Sequence, residues 1–402
     1  MNKDRTNVMM SRRQFGKTAL VASSAVVAAA TPLRYALGDT PLKIGLILPY
    51  SGVYANFGEG ITAGINFALK KHGNQLGGRP VEVIKGDGKL NPKIGGELAL
   101  KQVTSDKVDM VVGTAGSNVL PVVAKVCIDN NTFLIDPTAA SNSLTREHCN
   151  PLIFRISHSN WQLTHPAGSW IYNKGKRRAM TMGMNYVTGR EEVDAFAEAF
   201  KKAGGEVIDQ KWPGLHELDY QAYFADVLAK KPDMMFTFFA GSNAVEFVKQ
   251  YAQAGLKDKV PLYGSEYLTD STLLDAEGKA ADGVITSAQW APTLDNPANK
   301  KFTSEFKNAT GKEADLNSME GHDTIEVIAL GLEKTKGDTK DRKALSKALQ
   351  SVEFESPRGP FRFSSARNPI QNIYAVEAKD GKLHVLEVMQ KDVEDPTVAC
   401  HA

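Results

Sequence analysis

Cysteine is scarce in this sequence. There are three residues in 402, too few for a disulfide scaffold and without the paired spacing of a zinc site. Neither sign of charge is in excess: 48 Lys and Arg stand against 46 Asp and Glu, a net of +2, and nothing points to nucleic acid. No hydrophobic run is long enough to span a bilayer. The longest, Thr18–Ala30, has 13 residues, whereas a membrane helix needs about 20. Catalytic signatures are missing as well: the chain has no G-x-S-x-G, no G-x-x-x-x-G-K-[ST] and no H-E-x-x-H. Gly86-Asp87-Gly88-Lys89-Leu90-Asn91 approaches G-x-G-x-x-G, but Asn91 replaces the third glycine and the segment reads as a strand-to-helix turn. The eight histidines are scattered; His158 and His165 lie seven apart and read as surface or packing residues. Cys127 has no CxxC partner and falls on a predicted buried helix, where an inert core thiol is expected. No metal and no cofactor is therefore expected, and an enzyme would need a cryptic acid–base site that leaves no motif.

What is present is ordinary globular composition, 42% hydrophobic and 23% charged, with length enough for two or three compact units. At the N-terminus, Ser11-Arg12-Arg13-Gln14-Phe15-Gly16-Lys17 precedes the uncharged stretch Thr18–Ala30. This resembles the export signal of the twin-arginine pathway, with Gly16 standing where an apolar residue is more usual. Residues 1–38 are thus expected to be a signal peptide, cut after Ala30 or after Gly38, and the mature protein to be periplasmic. No cysteine follows the stretch, so a lipid anchor is not indicated. The segment holds six of the 48 basic residues and one of the 46 acids, leaving 42 against 45, a net of −3.

From Leu42 onward, strand-length apolar runs alternate with helical periodicity. Leu42–Leu48, Val81–Lys85, Met110–Gly113 and Phe133–Ile135 read as strands; helices are expected after Asn91-Pro92 and over Pro121–Asp129. The pattern restarts near residue 160, with strands at Ala179–Met182, Val207–Lys211, Met234–Phe239, Leu262–Gly264 and Val284–Ala288. Helices at Arg190–Ala203, Tyr220–Lys230 and Asn243–Gly255 lie between them. A long helix, Met319–Thr335, and short strands at Phe361–Phe363, Ile373–Ala378 and Leu383–Val388 follow. The expected fold is α/β, with two doubly wound parallel-sheet (Rossmann-like) domains joined by a hinge and a ligand cleft between them. Residues 39–157 with about 288–345 form the first domain, 158–287 with about 346–390 the second, and 391–402 a C-terminal tail.

Several strand-end loops carry a further signal. Ile47-Leu48-Pro49-Tyr50-Ser51-Gly52 with Phe57-Gly58 is followed in order by Val111-Val112-Gly113…Ser117, Asp136-Pro137-Thr138-Ala139-Ala140 and Ile153-Phe154-Arg155. Next come Asn185-Tyr186 with Gly189, Tyr220-Gln221-Ala222-Tyr223-Phe224 and Val248-Lys249-Gln250 before Gly255-Leu256. Gly264-Ser265-Glu266 and Ser356-Pro357-Arg358-Gly359-Pro360 complete the series. Over roughly residues 42–390 this resembles the type I periplasmic solute-binding proteins of ABC importers, of the branched-chain amino-acid and aromatic-acid class. The Ser356–Phe363 stretch is most similar to the members that import aromatic acids.

The resemblance implies a non-enzymatic receptor. It captures a small carboxylate-bearing solute, a branched-chain-type amino acid or an aromatic acid, by closure of two domains, and delivers it to a membrane permease. A ligand sensor of the same fold acting on a signalling partner is the alternative. A monomer with no nucleic-acid partner is expected. The resemblance places a carboxylate at Gly116, Ser117, Thr138, Ala139 and Ala140, and an apolar group at Phe57 and Tyr186, with Tyr54, Tyr267 and Trp161 as neighbouring candidates. Ala140 stands where leucine-type binders carry a threonine, and Ser117 also reads as a plain helix cap. Glu266 matches the acid that pairs with a ligand ammonium, or else is a surface or capping glutamate. His322, followed by Asp323, occupies the position of a cleft tyrosine. A disulfide between Cys149 and Cys400 is implied because related chains carry cysteines near both positions.

Overall fold

The computed structural model describes residues 40–396. The described residues begin with β1 (Leu42–Leu48), α1 (Ala55–Lys71), a two-residue β2 (Gln75–Leu76), β3 (Arg79–Asp87), α2 (Pro92–Lys101), β4 (Met110–Gly113), α3 (Leu120–Asp129), β5 (Phe133–Asp136) and β6 (Ile153–Arg155). The middle of the chain adds α4 (Asn160–Asn173), β7 (Arg178–Gly183), α5 (Val187–Lys202), β8 (Glu206–Lys211), α6 (Gln221–Lys230), β9 (Met234–Phe238), α7 (Ser242–Gln253), β10 (Leu262–Ser265), α8 (Leu274–Glu277) and β11 (Ile285–Ala288). Last come α9 (Pro297–Thr310), α10 (Leu316–Thr335), α11 (Arg342–Gln350), β12 (Glu353–Ser356), β13 (Gly359–Arg362), β14 (Gln371–Lys379) and β15 (Lys382–Val393).

Two large sheets result, ordered β2-β3-β1-β4-β5-β6 and β15-β14-β11-β10-β9-β7-β8, with β12-β13 a separate pair. β1 pairs in parallel with β3 and β4, and β7 with β8 and β9, so each sheet has the strand order of a doubly wound fold. The edges are antiparallel: β2 on β3, and the long hairpin β14-β15 on β11. β4, β5 and β9 are buried at every residue, as strands covered on both faces by helices must be.

Local chemistry explains most boundaries. Asn91 caps α2 by accepting from Lys93 N at 2.9 Å and Ile94 N at 3.2 Å, with Pro92 in the first turn. Asp315 and Ser318 form a reciprocal capping box at the start of α10, three residues before the expected start at Met319. α4 has no counterpart in the periodicity reading, because Pro166 sits inside it and breaks the helical pattern; the Ser159–Gln162 capping box holds its start.

The return crossing differs from the expected boundary at about 345. Leu345, Leu349, Val352, Phe361 and Phe363 all pack into the apolar cluster of the first sheet with Ile44, Phe154 and Ile328. The chain therefore re-enters the second lobe after Phe363, at β14. Nor do residues from 391 onward form a free tail throughout. β15 continues to Val393, and buried Asp395 accepts from Ser159 Oγ at 2.5 Å, Arg146 Nη2 at 3.0 Å and Thr145 Oγ1 at 3.2 Å. Cys127 is a free, buried thiol, and burial pushes it up to about 12. Cys149 is disulfide-bonded; its expected partner Cys400 and the signal segment 1–38 lie outside the described residues.

Candidate functional site

The carboxyl ends of the parallel strands in both sheets converge on one small, tightly closed cavity. Each contributing loop follows a strand: Tyr54 and Phe57 after β1, Ala115 and Ser117 after β4, Thr138 and Ala140 after β5. From the second lobe come Tyr186 and Thr188 after β7, Phe238 and Ala240 at the end of β9, and Tyr267 after β10. This is where a doubly wound sheet exposes its loops, so the topology alone selects the site. Ala115, Thr188, Phe238 and Ala240 were not singled out in the sequence; Phe238 and Ala240 carry the strand-end signal that could have found them.

Rings make most of the wall. Tyr54 stacks on Phe57 at 4.5 Å between centroids, Phe57 on Tyr267 at 5.7 Å, and Phe238 meets Tyr267 edge-on at 6.1 Å. Hydroxyls and three alanines, Ala115, Ala140 and Ala240, make the rest. The Tyr54 and Tyr186 hydroxyls bond to each other across the two lobes at 2.5 Å, and the Thr188 hydroxyl donates to Ser117 Oγ at 2.9 Å. Burial pushes the phenols of Tyr54, Tyr186 and Tyr267 up, so all three are neutral donors at physiological pH. The Thr138 hydroxyl is buried near Tyr267 and Glu320 without a well-aligned hydrogen bond. None of the eleven lining residues is charged.

The backbone amides expected to grip a carboxylate are partly committed elsewhere. Ala139 N donates to Asp136 Oδ1 at 3.0 Å, and Ala140 N to Ser117 Oγ at 3.3 Å. Asp136 thus shapes the loop, and Ala139 does not line the cavity. Gly116 does not line it either: its carbonyl accepts from Val119 and Leu120, and a Cβ there would lie 2.3 Å from Leu90 Cδ1. Trp161 stacks on His165 at 4.0 Å, away from the cavity.

Glu266 lies behind Tyr267, buried and already bonded. It accepts from Gln289 N at 2.9 Å and Gln289 Nε2 at 3.1 Å, and stands 3.2 Å from His158 Nε2. His158, expected as a surface or packing residue, is fully buried; its Nδ1 faces the Ser159 carbonyl and its Nε2 also meets the Tyr267 hydroxyl at 3.1 Å. Glu320 of α10 completes this group by accepting from Gln289 Nε2 at 2.9 Å. His158, Glu266 and Glu320 each place one ligand atom within 4.8 Å of the others, the one set among the described residues with the spacing to hold a metal ion. Burial raises the carboxyl of Glu320 and that of nearby Glu192 well above the usual range, and each has a buried oxygen without a hydrogen-bond partner. A neutral, protonated acid is the form that such surroundings favour.

His322 corrects another expectation. It lies two residues beyond Glu320 on α10, about 200° around the helix, and so faces away from the cleft. Its ring packs 4.9 Å from Phe302 and lines a separate cavity with Lys71, His72 and Glu326. Asp323, one helical turn beyond Glu320, pairs instead with Arg358 at 3.1 Å.

Comparisons with known proteins agree with this arrangement. The family model described as periplasmic binding protein matches residues 41–382. A solute-binding protein of an ABC transporter from R. palustris, crystallised with benzoate, superposes with a TM-score of 0.87 at 35% identity, over 90% of this chain and 100% of that one. A second such protein, from Rhodopseudomonas palustris BisB5 with 3,4-dihydroxybenzoic acid, gives 0.82 at 29%, over 89% and 99%. The Leu/Ile/Val-binding protein homolog 6 of Brucella melitensis is 30% identical over 356 residues, 86% of this chain and 90% of the relative. Two parallel sheets whose strand ends face one cavity, and relatives that match nearly end to end, give one conclusion: the chain belongs to the periplasmic binding protein family, in its type I form.

Proposed function

We propose that this protein is the periplasmic receptor subunit of an ABC importer, and that its solute is an aromatic carboxylate rather than an amino acid. One observation carries the choice of solute. The cavity is walled by aromatic rings and neutral hydroxyls, while Glu266, the acid available to an ammonium, is bonded to Gln289 and His158 behind the wall. An α-ammonium would enter without an anionic partner and leave its desolvation uncompensated. In this reading a benzoate-like ring packs against Phe57, Phe238 and Tyr267 with its carboxylate toward Ser117 and Thr138, and the rings, which touch one another in the empty cavity, part to admit it. The relatives bound to benzoate and dihydroxybenzoate support the same reading.

Binding is coupled to closure. The solute stabilises the closed form by touching both lobes, which turn about the chain segments that cross between the two sheets. The closed receptor then delivers its solute to a permease. Residues 1–38 direct export of the folded protein through the paired Arg12 and Arg13, and Cys149 pairs with Cys400, the remaining cysteine once Cys127 is set aside. Undiminished export of an Arg12→Lys, Arg13→Lys double variant would refute the signal; recovery of Cys400 as a free thiol on non-reducing peptide mapping would refute the bridge. Mass spectrometry of whatever the periplasmic protein releases on denaturation tests the solute. An aromatic acid is the expected finding; a stoichiometric amino acid or sugar contradicts it.

A further inference from the structure

Ser117 Oγ is saturated with incoming hydrogen bonds. It accepts from the Thr188 hydroxyl at 2.9 Å, from Asn160 Nδ2 at 3.3 Å and from the Ala140 amide at 3.3 Å. A serine hydroxyl offers two lone pairs and one hydrogen. With three donors sharing two lone pairs, the hydroxyl hydrogen is what Ser117 has left to offer, and Ser117 lines the cavity. Whatever bonds to Ser117 there must be an acceptor.

That polarity is set one residue further out. If Asn160 turned its amide round, its oxygen would face Ser117 and draw the hydroxyl hydrogen out of the cavity. Glu191 of α5 prevents this. Its Oε2 accepts from Asn160 Nδ2 at 2.6 Å and from the Asn142 backbone amide at 2.9 Å. A backbone N–H cannot be exchanged for an acceptor, so Glu191 Oε2 accepts there; as a carboxylate it has no hydrogen to give, and Asn160 then presents its NH2 group. One N–H of that group goes to Glu191 and the other to Ser117. The orientation is held even though it leaves Asn160 Oδ1 buried without a partner. Asn160 is fixed in turn by its own amide, which donates to the Ala140 carbonyl at 2.7 Å. Glu191 rides on the second lobe and Asn142 on the first, so closure assembles the relay.

We propose that Glu191 is a positioning residue for solute binding: through Asn160 it fixes Ser117 as a hydrogen-bond donor to an anionic ligand group. The proposal rests on the reading of the cavity as a carboxylate site.

Calorimetric titration of wild type, Glu191→Ala, Glu191→Gln and Ser117→Ala with benzoate, and with its neutral isostere benzamide, tests both levels separately. Glu191→Ala is expected to weaken benzoate about tenfold while benzamide changes by less than about threefold. Glu191→Gln, whose amide oxygen can accept the same two N–H groups, should restore benzoate to within about threefold of wild type. The double variant Glu191→Ala, Ser117→Ala should bind benzoate no more weakly than Ser117→Ala alone. If Glu191→Ala does not fold, Asn160→Ala carries the same test with the same selective loss expected. Equal weakening of both ligands, or additive losses in the double variant, overturns the relay and leaves the carboxylate site standing. A wild-type protein that binds neither ligand overturns both.

Discussion

Glu277 shows what burial without a partner does to a carboxylate. Only 3% of it is exposed, neither side-chain oxygen has a hydrogen-bond partner, and burial, with Asp270 nearby, pushes it up to about 8. In the unfolded chain a glutamate titrates near about 4.3. Between those two values the folded protein holds a proton that the unfolded chain has released, so raising the pH removes stability; above about 8 the penalty is constant. Glu277→Gln abolishes this slope. Its stability advantage over wild type should grow by on the order of 3 kcal/mol from about pH 5 to about pH 9, measured by chemical denaturation. An advantage equal at both ends would mean that Glu277 is solvated.

Glu266 supplies a second test at this scale. If the solute has no ammonium, Glu266→Gln should leave benzoate affinity within about threefold of wild type, because the lost charge faced His158 and Gln289. A loss of about 2 kcal/mol or more would place an ammonium beside it. Ser117, Thr138 and Tyr186 were legible in the sequence because each sits just beyond a recognisable strand, where a residue number translates into a place. His158, Glu191 and Glu320 were not. A histidine seven residues from its neighbour carries no metal or catalytic spacing, and Glu320 differs from His322 only by its angle around a helix whose phase the motif did not fix.

Among the elements, the turn between β12 and β13 does more than its four-residue strands suggest. Arg358 donates to Ile156 O at 2.6 Å, to Ser157 O at 3.2 Å, to Gln289 Oε1 at 2.5 Å and to Gln371 Oε1 at 3.1 Å. It also pairs with buried Asp323 at 3.1 Å. Residues 156–159, 289–296 and 364–370 are the three passages between the two sheets, and one guanidinium touches the first passage and the ends of the other two. The Ser356-Pro357-Arg358-Gly359-Pro360 motif was visible in the sequence, but its meaning was not, because the carbonyls it gathers come from segments up to 202 residues away. Arg358→Ala strips buried Asp323 of its guanidinium, leaving it Ser356 Oγ at 2.6 Å and His322 Nδ1 at 3.0 Å, and should destabilise the protein by about 3 kcal/mol in urea unfolding. A loss below about 1 kcal/mol would show that the passages hold without it. The strands were legible because continuous apolar runs have few alternatives; α4, α9 and α11 were not, because Pro166 interrupts one and the others are largely polar outside a narrow apolar stripe.

For the molecule as a whole, the contact between lobes is tight enough to make closure a testable geometry. Gly241, at the start of α7, has a φ of 58°, and a Cβ there would lie 2.3 Å from the Val53 carbonyl oxygen of the opposite lobe. Gly241→Ala should therefore oppose closure and lower solute affinity by about tenfold or more, as a titration would show, in addition to the strain that this φ places on any side chain. Unchanged affinity would mean that the lobes do not approach this closely when solute is bound. The fold class was readable because alternating strands and helices admit few topologies; the closed cleft was not, because it depends on contacts such as Tyr54 with Tyr186, 132 residues apart.

The most direct test of the account is calorimetric titration of protein freed of bound solute by unfolding and refolding, with benzoate and with leucine. Benzoate is expected to bind at about micromolar affinity or better, near −8 kcal/mol, and leucine to show no heat at about millimolar concentration. Tight binding of leucine with none of benzoate would contradict it.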